Sequence, residues 1–175
     1  MRSIKIGGAI VMRRVPSGGR RPVAYIGRGA PIALLGYFGV ANQTSTVAAG
    51  AVHACDVPNQ VLGQAARSEP RIHRRITETA VSAAGNLIDW SASVREVGVV
   101  NQLAHVLLLL ERAQGNTVVD LPHHEDLAGL LGARRETIAR AFAALEAEGA
   151  VSSLDRRRCE LAAGRLRERL ALSAR

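Results

Sequence analysis

Aromatic side chains are scarce in this chain of 175 residues, which has one Trp, two Tyr and two Phe. Surfaces that hold single-stranded nucleic acid stack bases on aromatic rings, so that class of partner is disfavoured. Cysteine is scarcer still: Cys55 and Cys159 stand far apart, without the clustered spacing of a zinc or iron–sulfur site. They read as buried or idle thiols in a reducing cytoplasm. Apolar runs are short, and Val106–Leu110 falls well below the roughly 18 residues of a membrane span. Met1 to Val15 has Arg on both sides of its apolar patch, unlike a signal peptide. The sequence therefore predicts a soluble, cytoplasmic chain.

Catalytic patterns are missing as well. The segment PSGGR at 16–20 lacks the Gly-Lys-Ser/Thr ending of a phosphate loop. His53, His73 and His105 are isolated, and no Ser, His and acid share a catalytic context. His123, His124, Glu125 and Asp126 are consecutive, which on a helix points them in different directions. Phosphate contact, or charge in the first helical turn, suits them better than metal binding. No enzyme, metal or cofactor is expected.

Lysine is nearly absent while arginine is abundant. The formal net charge is +8, and Lys5 is the only lysine among 23 basic residues. Arginine makes planar, bidentate hydrogen bonds to guanine edges and phosphates that lysine does not reproduce. A GC-rich genome would also favour arginine and alanine. Together with the lack of aromatics, the charge favours double-stranded DNA as partner.

Residues 124–149 carry the strongest local signal. They read as two short amphipathic helices joined by a tight turn at Gly132, which can adopt the positive φ of a sharp exit. Leu127, Ala128 and Leu131 form the facing stripe of the first helix. At about 100° per residue, Ile138, Ala141, Phe142 and Leu145 of the second helix fall in one sector. Arg135, Glu136, Ala139, Arg140 and Ala143 fall in another. That is the pattern of a helix-turn-helix whose second helix enters the major groove. A pair of packed helices with a solvated face shows the same periodicity.

Upstream, Glu69 and Pro70 follow Ser68, a candidate N-cap for a long helix. Ile76, Ala80, Ala83, Leu87, Trp90, Val94 and Val97 recur at alternating spacings of 4 and 3. This heptad seam predicts a homodimer, with helix packing inside one chain as the alternative. Arg95 to Gly98 reads as a hinge, and a helix from Val99 to Gln114 carries Val100, Leu103, Leu107 and Leu110. Thr117–Leu121 is an expected strand. Val151–Leu154 and Arg158–Ala162 are expected to form a β wing with Arg156, Arg157 and Arg158 near its tip, facing phosphates or a minor groove. A merely solvated basic loop is the other reading. Residues 164–172 suggest a terminal helix.

Before residue 58 the chain reads as short strands. Ile4–Val15 is one strand, PSGGR a turn, and Pro22–Ile26 the returning strand. Gly27 and Gly29 mark another turn, Thr44–Val57 one or two strands, and Gln60–Ala66 a short helix. The fold class expected is α+β. A partial antiparallel β-roll (1–68) precedes a dimerisation helix (69–97) and a winged helix-turn-helix (98–175).

This order resembles the cyclic-AMP receptor protein and fumarate–nitrate reductase regulator (CRP/FNR) family. The likeness is strongest in LAGLLGARRETIARAFAALEAEGAV. It implies a DNA-binding transcriptional regulator, with Arg135, Glu136 and Arg140 reading bases. His123, His124, Arg134, Arg156, Arg157 and Arg158 are implied at the DNA backbone. Arg134 departs from the Ser or Thr usual at that helix start. RNA polymerase is a further partner implied by the family. IGRGAPIALLGYFGVANQTSTVAAG is similar to the segment that holds a cyclic nucleotide, yet Leu34 and Gln43 stand where a Glu and an Arg are usual. Cyclic nucleotide binding in the usual mode is not expected, and no effector is named. The cysteine ligands of the iron–sulfur branch are absent. The roll is expected to be shortened, with its first strands missing. The alternative function is a dimerisation module that modulates a full-length relative and binds DNA weakly itself.

Overall fold

The computed structural model describes residues 1–16 and 18–173. Two small antiparallel sheets open the chain. One has the order β4(Pro31–Ile32), β1(Arg2–Ile6), β6(His53–Asp56); the other has β3(Arg20–Ile26), β2(Ala9–Arg14), β5(Thr44–Ala48). The single strand expected over Ile4–Val15 is thus two, in different sheets. Gly7 and Gly8 make the break. Gly7 has φ 79°, and a Cβ there would lie 2.2 Å from the Ala51 carbonyl oxygen. A Cβ at Gly8 would lie 1.9 Å from the Tyr25 hydroxyl. Only glycine allows so close a passage.

The hairpin expected between Ile4–Val15 and Pro22–Ile26 forms. Val11 faces Ala24 and Met12 faces Pro22, with a bulge between the two pairs. Beyond a 3₁₀ turn at Leu34–Phe38, strands β5 and β6 take the place of the one or two expected before residue 58.

Two helices follow, α1(Asn59–Ser68) and α2(Pro70–Ser93). Ser68 closes the first rather than capping the second: its hydroxyl donates to the Gln64 carbonyl at 3.2 Å. The cap is Glu69, in extended conformation, whose carboxylate accepts from Arg71 N–H at 3.4 Å. Pro70 is tolerated there because the first helical N–H groups lack intrahelical partners anyway. The second helix stops at Ser93, short of the expected boundary at 97.

After turns at 94–98 come α3(Val99–Gln114), β7(Val118–Asp120), α4(His124–Leu131) and α5(Arg135–Ala147). The chain closes with β8(Val151–Ser153), β9(Arg158–Leu161) and α6(Ala163–Ser173). β9 pairs with both β7 and β8 to make the winged sheet. Leu103, Leu107 and Leu110 of α3 are fully buried, together with Leu127, Ile138, Leu145 and Leu166 of the helices around them. Ile10, Val11, Ala24 and Tyr25 of the roll join the same core. A second, small cluster holds Leu34, Ala66 and Ile76. Among the described residues, no helix is long and apolar enough to cross a membrane.

Candidate nucleic-acid interface

Helix α4 ends where Gly132, at φ 63°, donates its N–H to the Ala128 carbonyl. Ala133 N–H reaches the same carbonyl at 2.9 Å. The left-handed exit turns the chain within three residues into α5. Ile138, Ala141, Phe142 and Leu145 of α5 are buried, while Arg135, Glu136, Ala139, Arg140 and Ala143 are exposed. The sequence periodicity separated these two faces correctly.

At the start of α5, Arg134 occupies the cap position with extended backbone and makes no side-chain cap bond. Glu136 lies in the first turn, where its charge suits the positive end of the helix dipole. The Arg140 guanidinium donates to the Thr137 hydroxyl at 3.3 Å, one turn back. Arg134, Arg135, Glu136 and Arg140 form no ion pair among the described residues. A charged face without ion pairs, on a well-anchored helix, can engage base edges without first breaking a salt bridge.

His124 stacks on Phe142, with ring centroids 5.2 Å apart and planes at 12°. Burial against that ring, and then the neighbouring Arg135 charge, push its pKa below the ordinary histidine value. It is therefore a neutral donor at neutral pH. His123 caps α4 through its backbone position, with no side-chain cap bond.

The wing is shaped by Asp155. Its carboxylate accepts from Arg157 N–H at 2.8 Å, Arg158 N–H at 2.9 Å and Arg158 Nε at 2.7 Å. These donors hold the carboxyl below the usual carboxylate range, the Arg157 backbone N–H first among them. The three arginines at the tip consequently differ. Arg158 is paired with Asp155. Arg157 reaches back to the roll, donating to the Ala49 carbonyl at 2.6 Å, and lies 3.4 Å from His123 Nε2. Arg156 is exposed and in no ion pair among the described residues. Sequence reasoning missed the link from Arg157 to Ala49, because the two are 108 positions apart and a backbone carbonyl has no sequence signature.

The heptad positions are not brought onto one free face. Trp90 is 1% exposed and Ile76 5% exposed, both inside this chain's own cores. Ala80 and Ala83 are half-buried and Leu87 is exposed, while Val94 and Val97 lie beyond the helix end. The most exposed large apolar side chains on α2 are Val81 and Ile88, at 67% and 68%, with Ala84 between them and Leu87 beside Ile88. Heptad spacing is shared by a stripe that faces the roll and one that faces outward.

In the roll, Leu34 is buried within the 3₁₀ turn and Gln43 is exposed. Ala33, just before the turn, holds φ 58°, a conformation glycine adopts more readily. Leu34 has no hydrogen-bonding group and Gln43 no charge, so neither matches a ribose hydroxyl or a cyclic phosphate. Cys159 is fully buried, and burial pushes its thiol up to about 12. Cys55 is exposed. Among the described residues, no cluster of His, Cys, Asp and Glu is arranged to hold a metal ion.

Comparison with known proteins agrees with this architecture. Residues 101–169 match the family model described as the Crp-like helix-turn-helix domain. A CRP-family transcriptional regulator from Thermus thermophilus aligns at 18% identity with TM-score 0.76, covering 97% of this chain and 86% of that one. FixK2 from Bradyrhizobium japonicum aligns at 18% identity with TM-score 0.79, covering 95% and 85%. CLP of Xanthomonas campestris, described as a c-di-GMP responsive global regulator, aligns at 17% identity with TM-score 0.62, covering 91% and 83%. No curated protein sequence matches.

Proposed function

With residues 101–169 forming a Crp-like helix-turn-helix domain in a chain of the CRP/FNR fold, we propose that the protein is a homodimeric transcriptional regulator reading a near-palindromic operator. The observation that carries this is the two-sided character of α5. Its apolar side is locked in the core, and Arg135, Glu136 and Arg140 stand outward. Arg135 and Arg140 read guanine edges, and Glu136 accepts from cytosine N4. Neutral His124, with His123, Arg134 and Arg156, meets the phosphate backbone.

Residues 1–68 act as the roll, 69–97 as the dimer segment and 98–175 as the DNA reader. Two copies meet along the outward face of α2 marked by Val81, Ala84 and Ile88. That meeting sets two α5 helices into successive major grooves, with half-sites about 34 Å apart. Leu34 and Gln43 leave the roll without the usual contacts for a cyclic nucleotide, so thermal shift with cyclic AMP or cyclic GMP should be flat.

Selection of sites from a randomised duplex pool tests the reading. The wild-type chain should enrich a palindromic motif, and Arg135→Ala should lose preference at one position per half-site, about 1–3 kcal/mol of discrimination. Unchanged preference in Arg135→Ala would overturn the assignment. Absence of specific binding by the wild type at moderate salt would favour the partner-modulating module instead.

A further inference from the structure

The hairpin of β2 and β3 ends in four arginines that the helix-turn-helix does not account for. Arg13 faces Arg21 and Arg14 faces Arg20 across the strands. All four are exposed, and none forms an ion pair among the described residues. Like charges directly opposite on a sheet are destabilising. Two such pairs in succession call for a compensating role in binding.

The hairpin's position supplies one. Strand β3 packs along α4, and a Cβ on Gly129 would come within 2.7 Å of the Pro22 ring. At the other end, the roll meets the wing where Ala49 accepts from Arg157, which in turn lies beside His123 at the start of α4. Pro22 thus sets the tip-ward end of β3 against the C-terminal half of α4. Alternate residues of a strand share a face. Arg20 is two residues from Pro22 and Arg14 two from Met12, and Met12 faces Pro22. Arg14 and Arg20 thus continue the hairpin face that touches α4, whereas Arg13 and Arg21 lie on the opposite face.

We propose that Arg14 and Arg20 form a second DNA-backbone contact, holding phosphates of the duplex beside the segment read by α5. The partner chemistry is the phosphodiester backbone: the hairpin offers planar guanidinium groups and no acidic residue, which suits phosphate oxygens and carries no base preference. This contact extends the DNA-binding reading above and rests on it.

The test uses the full chain with Arg14→Gln/Arg20→Gln beside Arg13→Gln/Arg21→Gln, two double variants that remove the same charge from opposite faces. Affinity is measured against salt on a long duplex carrying the selected site and on one trimmed to its half-sites. On the long duplex, the slope of log affinity against log salt should become shallower by about 1.8 per protomer in Arg14→Gln/Arg20→Gln. The opposite-face variant should stay close to wild type, and the difference should vanish on the trimmed duplex. Base preference should be unchanged in both. Melting temperature should not fall in either, since facing like charges are being removed.

Equal slopes for the two variants on the long duplex would overturn the proposal and assign the hairpin to another acidic partner. Wild-type base preference and its loss in Arg135→Ala judge the recognition helix separately. A flat preference would sink that reading while the slopes still decide the hairpin. A wild-type chain that binds no duplex would sink both.

Discussion

The helix-turn-helix half and the roll half of this molecule are built to different standards. In the former, Leu107, Leu127, Ile138, Leu145 and Leu166 come from four helices and are all fully buried in one core. Where the roll meets α2, the separate buried cluster is Leu34, Ala66 and Ile76, and the roll leaves Ile6, Phe38, Val40 and Val47 exposed. The best-buried roll residues in the larger cluster, Ile10, Val11, Ala24 and Tyr25, are buried because they join the helical core. A helix that is to present side chains at fixed positions needs a rigid support. The roll depends on that support as much as on its own sheets.

Core truncations should separate the two halves. Leu107→Ala should cost about 2–5 kcal/mol in chemical denaturation, since its site is closed on all sides. Leu34→Ala should cost only about 1–2 kcal/mol, because a small cluster at the edge of the fold collapses more easily. Equal losses would erase the distinction.

A smaller but visible effect is expected on the outward face of α2. Ile88→Glu should leave the folded monomer intact, as the side chain is exposed. Sedimentation should show a shift from dimer toward monomer, and a dimer of unchanged strength would place the interface elsewhere.

Alkaline titration probes both halves together. The buried Cys159 thiol is pushed up to about 12 from 9.0, by burial first and then by the Glu146 charge. The Tyr25 phenol is pushed up to about 12 from 10.0, by burial first and then by Asp120. The folded state keeps these protons while the unfolded chain releases them. Stability should therefore hold at neutral pH and fall progressively as pH rises from about 9 to 12. Cys159→Ala should flatten the early part of that decline, seen in melting temperature against pH.

The smallest effect is expected at Ala33. Replacing it with Gly relieves a left-handed backbone and should stabilise by about 1 kcal/mol or less. Gly132→Ala should do the reverse by a similar amount: nothing lies within 4 Å of the added Cβ, so backbone strain alone acts. A change of more than about 2 kcal/mol at either position would mean that packing, not conformation, decides there.

Much of the candidate site was legible in the order of residues alone. The two faces of α5, the Gly132 turn, the helix Val99–Gln114 and the strands of the wing follow from local periodicity and turn chemistry, both of which act within a few residues. The break at Gly7–Gly8 was not legible. An apolar, β-rich stretch reads as one strand unless a distant carbonyl, here Ala51, and a distant hydroxyl, here Tyr25, are known to crowd it. The burial of two heptad positions was not legible either: Ile76 and Trp90 have the right spacing for a dimer but lie in the chain's own cores.

Local order alone set what is periodic: a helix with a charged outer face, the turn before it, and an arginine-rich chemistry suited to duplex DNA. Tertiary structure decided which of those charges and apolar stripes remain available. Arg157 is taken by Ala49, Arg158 by Asp155, and Trp90 by the core, while Arg14 and Arg20 are left exposed on the hairpin whose Pro22 lies against α4. Availability depends on neighbours far away in the chain, and those neighbours are set only when the apolar faces have packed.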